Sequence, residues 1–167
     1  MVRKGILVEP ALYDENTLIA GVDEIRKYNR HRFDMELLSG ILYENTETNC
    51  AVGYLDIAER NFWVKGHFPE FPLLPGVLMC ESAAQLTGFF ANKYNMMSGC
   101  ILGLGGLDEV RFRGIVRPGD RFVVQVKLLH AKKLLISAEF IGLVRNNIVC
   151  EGIVKGMPLS NNSAGLQ

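Results

Sequence analysis

The sequence has little that points to nucleic acid, a membrane or a disulfide scaffold. Its 18 basic residues balance its 18 acidic residues, so the net charge gives no sign of nucleic-acid binding. No uninterrupted apolar run approaches the ~20 residues that span a bilayer, and the apolar part of GILVEPAL is too short for a signal peptide. The four cysteines, Cys50, Cys80, Cys100 and Cys150, lie far apart without a CxxC pair. They are predicted to be free buried thiols, and the protein is expected to be cytoplasmic.

The length of 167 residues favours one domain with a core large enough to enclose a ligand. Residues 1–20 are predicted to form an extended arm, residues 21–158 the folded domain, and residues 159–167 a disordered tail. Helical turns are predicted at Val22–Asn29. Strands are predicted at Met35–Tyr43, with a break at Ser39–Gly40, and at Cys50–Ala58.

One stretch, GHFPEFPLLPGVLMCESAAQLTGFFANKY, dominates the sequence from Gly66 to Tyr94. Its first half is a loop stiffened by three prolines. Pro75 then opens a helical run, because proline fits the first position of a helix. From Gly76 to Asn92 this helix is apolar or small on nearly every side, so it is expected to be buried all round. Glu81 is the only carboxylate or basic side chain between Glu70 and Lys93, and such a group needs a partner or a function.

After the helix the pattern becomes one of strands. Gly103, Gly105 and Gly106 would allow a ligand or another backbone to approach closely. Val110 and Phe112 alternate with Arg111 and Arg113, which predicts one apolar and one basic face. Arg117–Asp120 has the sequence of a type II turn. Further strands are predicted at Arg121–Leu129, Leu134–Val144 and Ile148–Lys155, which makes one sheet curled around the central helix the favoured α+β architecture.

The segment GHFPEFPLLPGVLMCESAAQ resembles the active-site signature of β-hydroxyacyl-acyl-carrier-protein dehydratases of the FabZ/FabA type. NRHRF and GLDEVRFRGIVRPGD are also similar to blocks of that family. The glutamate at position 81, where an aspartate would indicate FabA, resembles FabZ. The resemblance implies a hot-dog fold and dehydration of (3R)-3-hydroxyacyl thioesters. No cofactor is expected, and the three histidines are too scattered to suggest a zinc site. The resemblance also implies an acyl-carrier-protein partner and a homodimer, further assembled into a hexamer.

The residues themselves suggest how such a dehydration would proceed. His67 is the candidate base for the α-proton, because histidine suits proton transfer near neutral pH. Glu81 is the candidate acid, since burial in a dry helix favours the protonated carboxyl. The backbone N–H of Gly76 could stabilise the thioester oxygen, and Gln85, one turn after Glu81, could orient the carboxyl group or a water molecule. The predicted substrate-binding residues are Phe68, Pro75, Val77, Gln85, Gly103 and Gly105.

Other interpretations remain open for individual residues. His67 alone could be a hydrogen-bonded loop histidine, and Glu81 alone a buried ion pair. Phe89 and Phe90 are expected in the core, while His31 and His130 are expected to be structural. The candidate docking surface for an acidic carrier protein consists of Arg111, Arg113, Arg117 and Arg121, with an ordinary solvated face as the alternative.

The sequence also departs from the family pattern. It has Asp34 and Ser39–Gly40 where the family has proline and then an aspartate-arginine pair, and Glu70 where glycine is usual. Two other functions therefore stay open, a hot-dog acyl thioesterase and a non-catalytic subunit that binds the acyl carrier. The family resemblance also predicts that His67 and Glu81 of one site come from different chains.

Overall fold

The computed structural model describes residues 5–96, 101–132 and 134–159. These residues form two α-helices, α1 (Val22–Tyr28) and α2 (Gly76–Lys93). Six strands follow the same chain order: β1 (Gly40–Asn45), β2 (Cys50–Asp56), β3 (Ile101–Phe112), β4 (Arg121–Lys132), β5 (Leu135–Val144) and β6 (Asn147–Leu159). Neither described helix is both long and apolar enough to cross a membrane.

The six strands form one antiparallel sheet in the order β1-β2-β4-β5-β6-β3, so β1 and β3 are its edges. The turn between β5 and β6 consists of Arg145 and Asn146, whose φ angles of 49° and 62° are those of the two-residue hairpin turns that match strand twist. The predicted turn at Arg117–Asp120 is confirmed, since Gly119 has φ 92° and the Asp120 N–H donates to the Arg117 carbonyl at 3.0 Å. The sheet wraps around α2, which confirms the expected hot-dog architecture.

Helix α2 forms the centre of the core. Leu86, Phe89 and Phe90 are completely buried, and the helix packs against β2 to β6. Phe89 and Phe90 are therefore core residues, as predicted. The prediction that the helix is buried all round is wrong for its first turn, where Val77 is 71% exposed, because the sheet of this chain covers only the later turns.

Strand β1 begins where the sequence predicted a break. The Ser39 N–H donates to the Tyr54 carbonyl at 2.8 Å, and Gly40 pairs with Tyr54 as the first residue of the strand. A β-carbon on Gly40 would lie 2.9 Å from side-chain atoms of both Leu18 and Tyr54. The glycine is therefore needed for close packing and does not interrupt the strand.

The N-terminal arm lies on the outer face of the sheet. Gln125, fully buried on β4, accepts hydrogen bonds from the backbone N–H groups of Leu7 and Val8 at 3.0 and 2.9 Å. Its amide group donates to the Val8 carbonyl at 2.8 Å. Val8 thereby joins a second apolar cluster, whose other buried members are Leu42, Cys50, Val52, Tyr54, Val123, Ile141 and Leu143.

Three of the four cysteines lie within the described residues. Cys50, Cys80 and Cys150 are free and buried, as predicted. Cys80 lies on α2 and Cys150 on β6, so they approach the core from the helix and from the sheet. Cys100 and residues 160–167 of the predicted tail lie outside the described residues, whereas Leu159, the first residue of that tail, is the last residue of β6.

Candidate active site

His67 is held in the loop before α2 by backbone and side-chain bonds. Its N–H donates to the Trp63 carbonyl at 2.8 Å, and its carbonyl accepts from the Leu73 N–H at 2.9 Å. Its ring stacks on Phe68 with 4.4 Å between centroids. A turn brings residue 73 back to residue 67, since the Phe71 N–H donates to the Phe68 carbonyl at 3.0 Å and the Phe68 N–H donates to the Phe71 carbonyl at 3.2 Å.

The ring nitrogens of His67 have different roles because of one contact. Nδ1 lies 2.9 Å from the Leu73 carbonyl oxygen, which can only accept a hydrogen bond, so Nδ1 carries the proton. In the neutral ring Nε2 then keeps its lone pair. The loop therefore presents a partly exposed imidazole whose Nε2 can take a proton.

Glu81 lies five residues into α2, with one oxygen bound by two side chains. Oε1 accepts a hydrogen bond from Gln85 Nε2 at 2.9 Å and lies 3.3 Å from Nε2 of His31. The side chain is about one-fifth exposed. Of the two alternatives for Gln85, the structure shows the contact with the carboxyl group.

The expected protonation of Glu81 is not found in the single chain. Burial raises the pKa of Glu81, but the hydrogen bonds from His31 and Gln85 lower it, and the net pKa lies below the ordinary value. Burial alone favours the protonated carboxyl group, but these two donors stabilise the ionised carboxylate. The single chain therefore holds Glu81 as an anion at neutral pH.

Glu81 lines a cavity of about 240 Å³. One wall is the α2 face that carries Glu81, Gln85 and Gly88, the second is formed by residues 28–31, and the third by residues 101–104 at the start of β3. Since α2 has about 3.6 residues per turn, the cavity follows the helix for roughly three turns from Glu81 to Asn92. Its shape is that of a groove that begins at a carboxylate.

The structure brings together only some of the predicted site residues. Glu81, Gln85 and Gly103 line the same cavity, whereas His67, Phe68 and Gly105 do not. Phe68 and Val77 are exposed near the His67 loop and the start of α2, and Pro75 immediately precedes the helix as its N-cap residue. Within one chain, the candidate base and the candidate acid belong to separate surfaces.

Gly76 is the first residue of α2, where backbone N–H groups have no partner within the helix. A β-carbon at this position would lie 2.7 Å from Cζ of Phe112. The ring of Phe112 thus lies against the glycine, and the position can hold no larger residue without a shift of that ring.

The four arginines predicted as a docking surface have different surroundings. Arg113, just beyond β3, binds the buried carboxylate of Glu151, and Arg121 binds Asp56 with 2.8 Å between Nε and Oδ1. Arg117 lies over the ring of Phe71 at 4.4 Å. Arg111 is exposed and donates to the Val110 carbonyl. Two of the four charges are thus balanced by neighbouring carboxylates, while Arg111 and Arg117 have aromatic or backbone contacts.

His31 is the residue of this site that the sequence did not identify. It was expected to be structural, yet its Nε2 atom faces the Glu81 carboxylate. The signal that could have indicated it was its place in NRHRF, one of the three blocks that resemble the dehydratase family.

Comparisons with known proteins agree with this architecture. The family model described as a FabA-like domain matches residues 29–153. The chain is 35% identical over 130 residues to 3-hydroxyacyl-[acyl-carrier-protein] dehydratase FabZ of Thermotoga neapolitana, covering 78% of this chain and 91% of the relative. It is 34% identical over 131 residues to the protein of the same name from Clostridioides difficile, with 78% and 92% covered.

Solved structures show the same fold at lower identity. The dehydratase heterocomplex ApeI:P from Xenorhabdus doucetiae superposes with a TM-score of 0.71 at 18% identity, over 82% of this chain and 91% of that one. The E. coli PaaI protein of the phenylacetic acid degradation operon superposes with a TM-score of 0.54 at 14% identity, over 70% and 80%. The fold, the match over residues 29–153 and the similarity to the FabZ proteins together show that this chain belongs to the FabA-like family.

Proposed function

We propose that this protein is a dehydratase that removes water from (3R)-3-hydroxyacyl thioesters carried on acyl-carrier protein and yields trans-2-enoyl thioesters. The observation that carries the proposal is the single carboxylate of Glu81 at one end of a groove along α2. The names of the FabZ relatives supply the substrate class, and the reaction belongs to the synthesis of fatty acids or related acyl chains. No cofactor or metal enters the proposed steps, and the free buried cysteines suit a reducing cytoplasm.

The reaction needs a proton removed from C2 and a proton delivered to the hydroxyl group on C3. Nε2 of His67 takes the C2 proton, because Nδ1 is engaged with the Leu73 carbonyl. As the C2–H electrons form the double bond, the C3–O bond breaks and the departing oxygen takes a proton from Glu81. The proton held by His67 then restores Glu81, so protons balance over one turnover.

The lowered pKa of Glu81 in the single chain opposes this acid role. Substrate bound in the groove would remove water from it, and added burial raises the pKa of a carboxyl group. The backbone N–H of Gly76 at the start of α2 is the proposed donor to the thioester oxygen, a type of contact worth ~3 kcal/mol in other enzymes.

The acyl chain is proposed to lie in the groove beyond Glu81. Gly88 and the residues of β3 from Ile101 to Leu104 line this part, with Gly103 on the wall opposite the helix. Phe68, Pro75, Val77 and Gly105 are proposed to meet the substrate from the second chain's side of a shared site.

A homodimer would complete the site. Edge strand β3 has unpaired backbone groups along one side, and Phe68, Val77 and Phe112 are more than half exposed around the His67 loop and the start of α2. A two-fold contact would cover these side chains and place His67 of one chain beside Glu81 of the other. Assembly of such dimers into a hexamer is part of the same proposal.

The acyl-carrier protein is proposed to dock near Arg111 and Arg117, with Arg113 and Arg121 contributing less because each is bound to a carboxylate. Reversing the charge of Arg111 and Arg117 should raise the KM for a carrier-linked substrate and leave a pantetheine thioester unaffected. An equal change for both substrates would contradict docking at this surface.

The test of function is an assay with a 3-hydroxybutyryl thioester in which enoyl absorbance and free thiol are followed together. A dehydratase gives enoyl product without thiol release. Release of thiol without enoyl product would identify a thioesterase, and binding of the acyl carrier without turnover would identify a non-catalytic subunit.

A further inference from the structure

The carboxylate of Glu81 is reached by a histidine from outside the α2 helix. His31 follows α1, and its Nε2 atom lies 3.3 Å from Oε1 of Glu81. The imidazole is about one-third exposed, and it lines the same groove as Glu81. The proposed dehydration assigns no role to this side chain.

The other donor to Glu81 is fixed in orientation. Besides binding Glu81, the amide group of Gln85 donates to the Met35 carbonyl at 2.8 Å, and Gln85 Oε1 accepts from the Leu37 N–H at 3.2 Å. These contacts leave no freedom to exchange the amide oxygen and nitrogen. Gln85 therefore always presents an N–H group to Oε1 of Glu81.

The ring of His31 can act in the same way. Its Nδ1 atom is buried and has no hydrogen-bond partner among the described residues. A proton on that nitrogen would be a buried donor without an acceptor, which is costly, so the tautomer with the proton on Nε2 fits the site. Nε2–H then donates to Oε1, and both donors bind the same carboxylate oxygen.

We propose that His31 is a positioning residue that, together with Gln85, anchors Oε1 of Glu81 and leaves Oε2 to exchange a proton with the substrate. The inference rests on the proposed dehydration, because it concerns the carboxyl group used in that reaction. Fixing one oxygen aims the lone pair of the other, and small displacements of a reacting group are costly to the rate.

Several charged groups surround this pair. Arg30 lines the same groove, and Glu36 lines an adjoining cavity with His31. Glu36 is bound by Arg26 at 2.7 and 2.9 Å, and this hydrogen bonding lowers the pKa of Glu36. The hydrogen bond from His31 favours ionised Glu81, so its loss should raise the Glu81 pKa.

The experiment compares His31→Phe with His31→Gln, and uses His130→Phe, at an exposed position near the end of β4, as the matched control. We expect His31→Phe to lower kcat about tenfold with little change in KM. The limb of the kcat/KM profile that reports Glu81 should move to higher pH. His31→Gln, which keeps an N–H donor, should retain most of kcat, and His130→Phe should match the wild type.

A purely structural His31 predicts a different result. In that case His31→Phe would lower the melting temperature and leave both limbs of the pH profile in place, which would overturn the proposal. An equal loss of kcat in His31→Gln would also overturn it. Which limb of the kcat/KM profile moves is also informative. Movement of the acid limb means that Glu81 works as a carboxylate, and movement of the alkaline limb means that it works as an acid.

A readout without turnover separates this inference from the proposed function. In protein labelled with ¹⁵N-histidine, His31 should show the tautomer protonated on Nε2, and its Nε2 resonance should shift in Glu81→Gln. If the wild-type protein turned over no 3-hydroxyacyl thioester, the proposed dehydratase function would be wrong. The spectra would still show whether His31 binds Glu81. A His31 Nε2 resonance that does not shift in Glu81→Gln would overturn the inference.

Discussion

The ring of Phe112 at the end of β3 lies directly against Gly76, at the first residue of α2. Gly76→Ala would place a methyl group 2.7 Å from Cζ of that ring, so the ring must move. Overpacking of this kind should lower the free energy of unfolding by about 1 kcal/mol and reduce turnover, measured by denaturant titration and steady-state assay. Gly66→Ala is the matched control, because a β-carbon there meets nothing within 4 Å. Phe112→Leu should restore the stability of Gly76→Ala, and failure to do so would show that the ring is not the obstacle.

The separation of His67 from the Glu81 groove predicts complementation between inactive chains. His67→Ala and Glu81→Gln should each lower turnover at least ~100-fold. After dissociation and random reassociation about half of the dimers are mixed, and each mixed dimer has one intact site. About a quarter of wild-type activity should therefore return. Background activity despite proven subunit exchange would place both residues of a site in one chain.

The pKa of Glu81 also predicts a pH-dependent effect on stability. A carboxyl group with a lowered pKa in the folded state stabilises the fold above its unfolded pKa, and this contribution disappears as pH falls through the folded pKa. At pH 7 Glu81→Gln should therefore have a lower melting temperature than the wild type, and this difference in melting temperature should shrink as the pH falls. Thermal melts from pH 7 to pH 3 measure it, and a constant difference would argue against an ionised Glu81.

Gly88 offers a test of where the acyl chain lies. A β-carbon at this position would be 3.5 Å from Cδ2 of Leu102, an ordinary contact, so Gly88→Ala should fold and act as the control. Gly88→Leu would fill the groove beyond Glu81. We expect its kcat/KM to fall at least ~10-fold more for a long 3-hydroxyacyl thioester than for a four-carbon one. Equal losses would place the acyl chain elsewhere.

The arm bound by Gln125 should contribute measurably to stability. Gln125→Leu leaves the backbone groups of Val8 without partners on a covered face, which should cost about 2–3 kcal/mol of unfolding free energy. Urea titration measures this loss. In a chain that lacks residues 1–12 the same substitution should have little effect, and a full loss there would show that Gln125 acts independently of the arm.

Local rules explain what could be predicted from sequence. Proline at the position before α2 and apolar residues along it defined the helix, and Pro118–Gly119 defined the turn before β4. The antiparallel sheet around one helix followed from the order of these elements. Each of these features depends on residues that are neighbours in the chain.

The features that sequence reasoning missed depend on distant residues. The start of β1 at Gly40 depends on its pairing with Tyr54. The attachment of the N-terminal arm to the sheet depends on Gln125, which lies 117 residues beyond Val8. The protonation state of Glu81 was wrong for the same reason, because its partner His31 lies fifty residues earlier in the chain. Burial can be inferred from a helical pattern, but the donors that compensate it cannot.

The buried thiols of α2 and β6 give the chain two internal reporters of core opening. Burial raises the pKa of Cys80 to about 11 and that of Cys150 to about 12, and only the thiolate reacts readily with alkylating reagents. Each sulfur is therefore protected twice in the closed fold, by exclusion of the reagent and by its proton. The labelling rate at each cysteine measures how often its side of the helix–sheet contact separates. Equal rates would mean that helix and sheet part in a single cooperative event, and a faster Cys80 would mean that α2 lifts from a sheet that stays intact.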